Sequence, residues 1–234
     1  MSAQVGEFQK ADALLFVDAL TKVHDEKLVA YINAGQMMLD RKYDEAKTSF
    51  VALSGYLDAD EMAKETDYRH AAQLADANQF EEAKAMYAEL GGYKDAQDKV
   101  LETEFRKGAY VLYELNDYQK AENIFKQLVQ GGYTAAEEMQ KETQYLWANA
   151  LIKEKSYIIA YKKLEKIKDY ADTKNLLEAL TEIIYLYGIE KYTEEDFTTA
   201  RNMFTFVSPY ADSEMYIKLI EEQTSFEWLW SQRQ

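Results

Sequence analysis

Phe80-Glu-Glu-Ala83-Lys-Ala-Met-Tyr87-Ala-Glu-Leu90 decides the fold, because its pattern of ring, small residue, large apolar and aliphatic residue is written five times. The other copies are Tyr43/Ala46/Phe50/Leu53, Tyr118/Ala121/Phe125/Leu128, Tyr157/Ala160/Leu164/Ile167 and Phe197/Ala200/Phe204/Val207, so successive alanines stand 37 to 40 residues apart. Within a copy the four positions fall at i, i+3, i+7 and i+10, which lie on one face of an α-helix. Self-similarity at such a period signals a stacked array whose single units cannot bury their apolar faces alone.

Working upstream, a second small residue stands twelve positions before each alanine: Ala34, Ala71, Ala109, Ala148 and Gly188. Small residues let two helices approach to the ~8–10 Å of close packing, so each unit reads as a helix hairpin with small residue against small residue. The hairpins fall at about 27–56, 59–93, 96–133, 136–170 and 173–210, with terminal helices at 5–22 and 213–231, and the whole of 1–234 reads as one repeat domain. The short connections, such as Asn116-Asp117 and Glu195-Asp196, offer side-chain acceptors for helix starts, and Asn78-Gln-Phe-Glu81 has capping-box spacing. Gly91-Gly92 and Gly131-Gly132 read as helix stops.

A further signature, Tyr-x-Asp, follows the second helix at Tyr56/Asp58, Tyr93/Asp95, Tyr170/Asp172 and Tyr210/Asp212. The third copy departs, with Tyr133-Thr-Ala135. The tyrosine reads as a plug between hairpins, and the aspartate as the cap of the next helix.

Composition agrees with an all-α chain: one proline, nine glycines and 29% charged residues leave little turn punctuation for sheets. The net charge of −15 disfavours nucleic acid and anionic membranes as partners and favours a basic one, or simply keeps the protein soluble. There is no cysteine, which removes disulfides, thiolate metal sites and cysteine nucleophiles. No apolar run approaches the ~20 residues of a membrane-spanning helix. The start has no leader-like character, which fits a cytoplasmic compartment and equally a domain of a longer exported bacterial protein. Neither His24 nor His70 has a histidine partner one turn away, and paired glutamates such as Glu81-Glu82 and Glu194-Glu195 read as solvated helix faces. With no phosphate loop and no cofactor motif, the expectation is a protein without catalytic, metal or cofactor sites.

With small, small and aromatic residues in this order (Ala71, Ala83 and Tyr87 and their counterparts), the chain resembles the tetratricopeptide-type repeat proteins across residues ~27–213. It is similar to a long-period, divergent variety common in bacteria, since the usual period is about 34 residues and the usual proline after the second helix is replaced here by the Tyr-x-Asp turn. The resemblance implies a right-handed α–α superhelix, a solenoid whose first helices line a concave protein- or peptide-binding face. On those helices the stripe beside the packing face carries Tyr68, Arg69, Arg106, Lys107, Tyr110, Tyr113, Tyr145, Asn149 and Lys153. Tyrosine and arginine there suit recognition, giving contact area and directional pairing to carboxylates. Recurrence of Tyr31, Tyr68, Tyr145 and Tyr185 at one repeat position also suits packing. Phe226, Trp228 and Trp230 form an aromatic tail that could dock on another chain. The expected function is therefore a protein- or peptide-binding scaffold. The alternative is an assembly protein that self-associates through its terminal helices or joins flanking domains.

Overall fold

The structure, a computed structural model, describes the backbone of residues 26–231 and the side chains of 26–225. The described residues form eleven α-helices and no strand: α1 Glu26–Leu39, α2 Tyr43–Ala52, α3 Ala59–Asp76, α4 Phe80–Leu90, α5 Ala96–Tyr113, α6 Tyr118–Gln130, α7 Ala136–Lys153, α8 Tyr157–Leu164, α9 Thr173–Thr193, α10 Phe197–Val207 and α11 Ser213–Ser231. A 3-10 turn, Glu165–Ile167, extends α8. The expected helix at 5–22 lies outside the described residues, and that expected at 213–231 is α11.

Among the described residues the chain is all-α, a helical repeat consistent with a solenoid. The described residues fall into two compact units. One contains residues 26–115 together with 130–133, and the other contains 116–129 and 134–231. In the first unit α1 to α5 pack in succession, and in the second α7 to α11 do so. In the second unit α6 is held against α7 by a hydrogen bond from Gln144 to Glu122.

The five repeat alanines are all fully buried, as are Phe50, Phe125 and Phe204 one helical step further on. Of the small residues expected on the first helices, Ala34, Ala71, Ala148 and Gly188 are buried, but Ala109 is only half-buried and its neighbour Gly108 takes the buried place. The cause is the connection. Residues 114–117 join α5 to α6 with one residue more than any other hairpin turn, so counting twelve back from Ala121 stops one position short of the buried Gly108. Gly188 is matched to a ring rather than to another small residue: a Cβ there would stand 2.9 Å from Phe204 Cε1.

Hairpin connections obey a backbone rule that the sequence reading missed. Arg41, Asn78, Asn116, Lys155 and Glu195 adopt left-handed backbone, with φ of 53 to 62°. In four hairpins the next amide closes a bond to the carbonyl five residues back, as Gln79 N–H to Leu74 at 2.9 Å and Ser156 N–H to Leu151 at 2.8 Å. This satisfies helix-end carbonyls in the manner of a Schellman stop without glycine. Among the described hairpin turns, side-chain caps of the expected kind are seen at Asp117, which accepts from Lys120 N–H (3.0 Å), and at Asp196, which accepts from Thr199 N–H (3.1 Å). The capping box expected at residues 78–81 is not formed, because Asn78 has left-handed backbone and Gln79, whose side chain makes no cap bond, takes the cap position instead.

The Tyr-x-Asp turns also work differently from the expectation. Asp58, Asp95 and Asp172 occupy cap positions but do not cap. Each instead accepts the phenol hydrogen of the first-helix tyrosine before it: Tyr31 to Asp58, Tyr68 to Asp95 (2.6 Å) and Tyr145 to Asp172 (2.7 Å). The ring at that position of the first helix meets the plug tyrosine of the turn in every hairpin. The pairs are Tyr31–Tyr56 (6.5 Å), Tyr68–Tyr93 (6.1 Å), Phe105–Tyr133 (5.8 Å), Tyr145–Tyr170 (5.9 Å) and Tyr185–Tyr210 (5.6 Å). In the third copy Phe105 has no hydroxyl to donate and Ala135 no carboxylate to accept, so donor and acceptor are missing together.

Two tests follow from this geometry. Tyr68→Phe should lower the denaturation midpoint, and the same change in an Asp95→Ala background should do little more, as a double-mutant cycle would read. Gly188→Ala gains about 1 kcal/mol of helix propensity, but overpacks Phe204, which is fully buried and stacked on Tyr216 at 4.7 Å. Overpacking costs about 1–3 kcal/mol, so the melting temperature should fall; a rise would show that the ring can move aside.

Candidate functional site

Most residues of the expected stripe are engaged in holding the fold. Tyr68 is bound to Asp95 and packs edge-on to Tyr87 and Tyr93; burial and that bond both push its phenol above its ordinary range. Arg69 donates to Glu65 at 2.8 Å. Arg106 reaches the end of α3, donating to Asp76 (2.9 Å) and to the Ala75 carbonyl (3.2 Å). Lys107 joins a four-membered charge box with Glu81 (2.5 Å), Glu104 (3.0 Å) and Lys84. Tyr110 leans on Phe80 at 5.8 Å, while Tyr113 is exposed. These six belong to the first unit.

Tyr145, Asn149 and Lys153 belong to the second. Asn149 donates to the Tyr145 carbonyl of its own helix (3.1 Å), and Lys153 is exposed. Phe226, Trp228 and Trp230 lie within α11. His70 stacks on Tyr43 at 5.2 Å, and His24 lies outside the described residues. The one-residue slip in the third hairpin explains part of this picture: the counterpart of Tyr68 is Phe105, and Arg106 is the counterpart of Arg69.

Burial raises the cost of a charged Glu65, but hydrogen bonds from Lys94, Arg69 and Tyr93 outweigh it and hold the carboxyl below its ordinary value of 4.5. These groups border a recess of about 540 Å³ at the second inter-hairpin turn, lined by Glu61, Lys64, Tyr93 and Lys94 among others. A recess lined by the corresponding Glu138, Lys141, Tyr170 and Ala171 lies in the second unit, so this hollow is a property of the turn. Because the carboxyl is more acidic folded than unfolded, its contribution to stability is complete above about pH 4.5 and is lost as pH falls through the folded value. Glu65→Gln should therefore lower stability at neutral pH and flatten the acid limb of a stability–pH profile; an unchanged limb would contradict the pairing.

A second recurring feature identifies the place that stands apart. The residue after each repeat alanine pairs with the residue eight positions into the next first helix. Lys47 meets Asp67 (2.7 Å), Lys84 meets Glu104, Glu122 accepts from Gln144 (3.1 Å), and Arg201 meets Glu221 (2.5 Å). These polar rungs tie one hairpin to the next. At the fourth junction, between α8 and α9, the two positions are Tyr161 and Thr181. Thr181 turns its hydroxyl to the Leu177 carbonyl of its own helix (3.0 Å), and Tyr161 meets Phe206 edge-on at 5.2 Å.

At that junction a shallow recess of about 400 Å³ lies between the helices, lined by Tyr161, Lys168, Asp169, Lys174, Leu177, Glu178 and Thr181. Its size is at the lower end of the ~300–1,000 Å³ typical of ligand pockets. The sequence analysis did not single out these residues. The available signal was the break in a repeat position: Lys47, Lys84, Glu122 and Arg201 are polar or charged, and Tyr161 is the one aromatic.

No protein-family model matches the chain, and no curated protein matches it.

Proposed function

We propose that the chain is a protein- or peptide-binding module of the tetratricopeptide type, which presents the surfaces of its stacked hairpins to a segment of a partner and carries out no catalysis. The observation that carries this reading is the missing rung at the α8–α9 junction. An array with four polar ties of the same kind has exchanged the fifth for a tyrosine and a threonine beside a recess. Stacking alone gives no reason for that exchange, because a charged or hydrogen-bonded polar pair serves at the other junctions.

The charged and phenolic groups of the first unit support the same reading. Glu65, Glu81, Lys84, Glu104 and Lys107 are engaged with one another or with neighbouring helices. The phenols of Tyr31, Tyr68 and Tyr93 are pushed above their ordinary range by burial and by carboxylates, the reverse of what a nucleophile or general base at neutral pH requires. Tyr113 in the first unit and Leu186 in the second are large exposed side chains suited to contact.

Site-specific photo-crosslinking tests the reading. A photoreactive amino acid at position 178 or 113 should give discrete protein adducts, in lysate of the cells that make this chain, that unmodified protein competes away. The exposed position 51 should not. Absence of competable adducts at both 178 and 113 would overturn it.

A further inference from the structure

We infer that the third inter-hairpin turn, residues 131–135, is the yielding joint of the array. It opens locally at lower cost than its counterparts, so the two compact units lose and regain structure as separate blocks. This is independent of what the module binds. The first argument is a missing fastening. In the first, second and fourth hairpins a first-helix tyrosine donates to the turn aspartate 27 residues on, at the point where the next helix begins. The third hairpin carries Phe105 and Ala135 at those places, and its plug Tyr133 rests on the Phe105 ring at 5.8 Å.

The second argument is the backbone. At the other four turns the plug tyrosine's N–H donates to the carbonyl three residues back, as Tyr93 to Leu90 (3.1 Å). The first residue of the next helix then donates to the tyrosine carbonyl, as Ala96 to Tyr93 (3.0 Å). Leu57, Lys94, Ala171 and Ala211, which follow those tyrosines, are left-handed with φ of 47 to 50°. At the third turn the bond into the helix runs one residue further along, from Glu137 N–H to the Thr134 carbonyl (3.1 Å). Ala135 is helical (φ −58°, ψ −21°), where Asp95 has φ −100° and ψ 24°. The cause is chain length: Ala121 and Ala136 stand 15 residues apart, Ala83 and Ala96 only 13. The fifth hairpin keeps the common turn, and its Tyr185 is set among the rings of Phe204, Tyr210 and Tyr216.

Glycine freedom does not separate the turns, since Gly91-Gly92 precede Tyr93 as Gly131-Gly132 precede Tyr133. The third argument is where the polar ties lie. Within its own unit α6 is held by Gln144 (3.1 Å) and Lys163 (3.3 Å), both donating to Glu122. A segment opens in preference where fewer bonds must break, while the blocks around it keep their own.

Hydrogen–deuterium exchange of the whole chain, read by mass spectrometry, tests the inference. Corrected for intrinsic rates, amides of 131–137 should exchange about tenfold faster, or more, than those of 91–97 and 168–174. Tyr68→Phe with Asp95→Ala gives the second turn the pair that the third carries. It should raise exchange at 91–97 about fivefold or more and leave 168–174 unchanged. Phe204→Ala should speed exchange in α9 and α10 and leave α3 and α4 as in wild type. Equal exchange at the three turns, or no rise at 91–97, overturns the inference. So does loss of protection in α3 and α4 on Phe204→Ala, which would make the array a single cooperative body. Should the double substitution unfold the chain, Tyr145→Phe applies the same test at 168–174, where unchanged exchange would overturn the inference.

Discussion

A ring on the first helix of every hairpin meets the tyrosine of the turn that closes it, and the rest of the architecture depends on this contact. A helix hairpin has no enclosed core. Its apolar stripe becomes an interior only when the next hairpin is set at a definite height and angle. The aromatic pair supplies that setting, and in three hairpins the phenol hydrogen bond to the following aspartate fastens it at the point where the next helix begins. The buried alanines then allow helix backbones to approach, and the phenylalanines one step further on close the space between them.

The same logic shows why charged residues could be read in more than one way from sequence. In an extended repeat, a lysine or glutamate one step round from the buried stripe faces either solvent or the adjacent hairpin. Arg106 and Lys107 were expected on an open surface, yet one holds the end of α3 and the other joins a box of four charges between α4 and α5. Such ties are modest individually, since partly exposed ion pairs gain little beyond ~1 kcal/mol. Their regular recurrence as rungs still aligns successive hairpins. Where the rung is absent, at Tyr161 and Thr181, alignment relies on ring packing and the surface between the helices opens.

Much of the fold was legible in the sequence because its cause is periodic. Five alanines at intervals of 37 to 40 residues, each inside a helical stripe, leave little choice but stacked hairpins. The candidate site was legible only in part. Tyr161 interrupts a series of polar residues at one repeat position, but that series gains meaning only once Lys47, Lys84, Glu122 and Arg201 are known to have partners on the next helix.

The sequence by itself determined the helical class, the number and order of hairpins and the identity of the buried stripe, because these follow from spacing along one chain. Tertiary structure decided what spacing cannot contain: that Gly108 rather than Ala109 is buried, that three turn aspartates receive tyrosine hydroxyls instead of capping helices, and that the array separates into two compact units within its third hairpin. In each case the outcome depends on a partner ~30 residues away or on one extra residue in a connection, and a short-range pattern records neither.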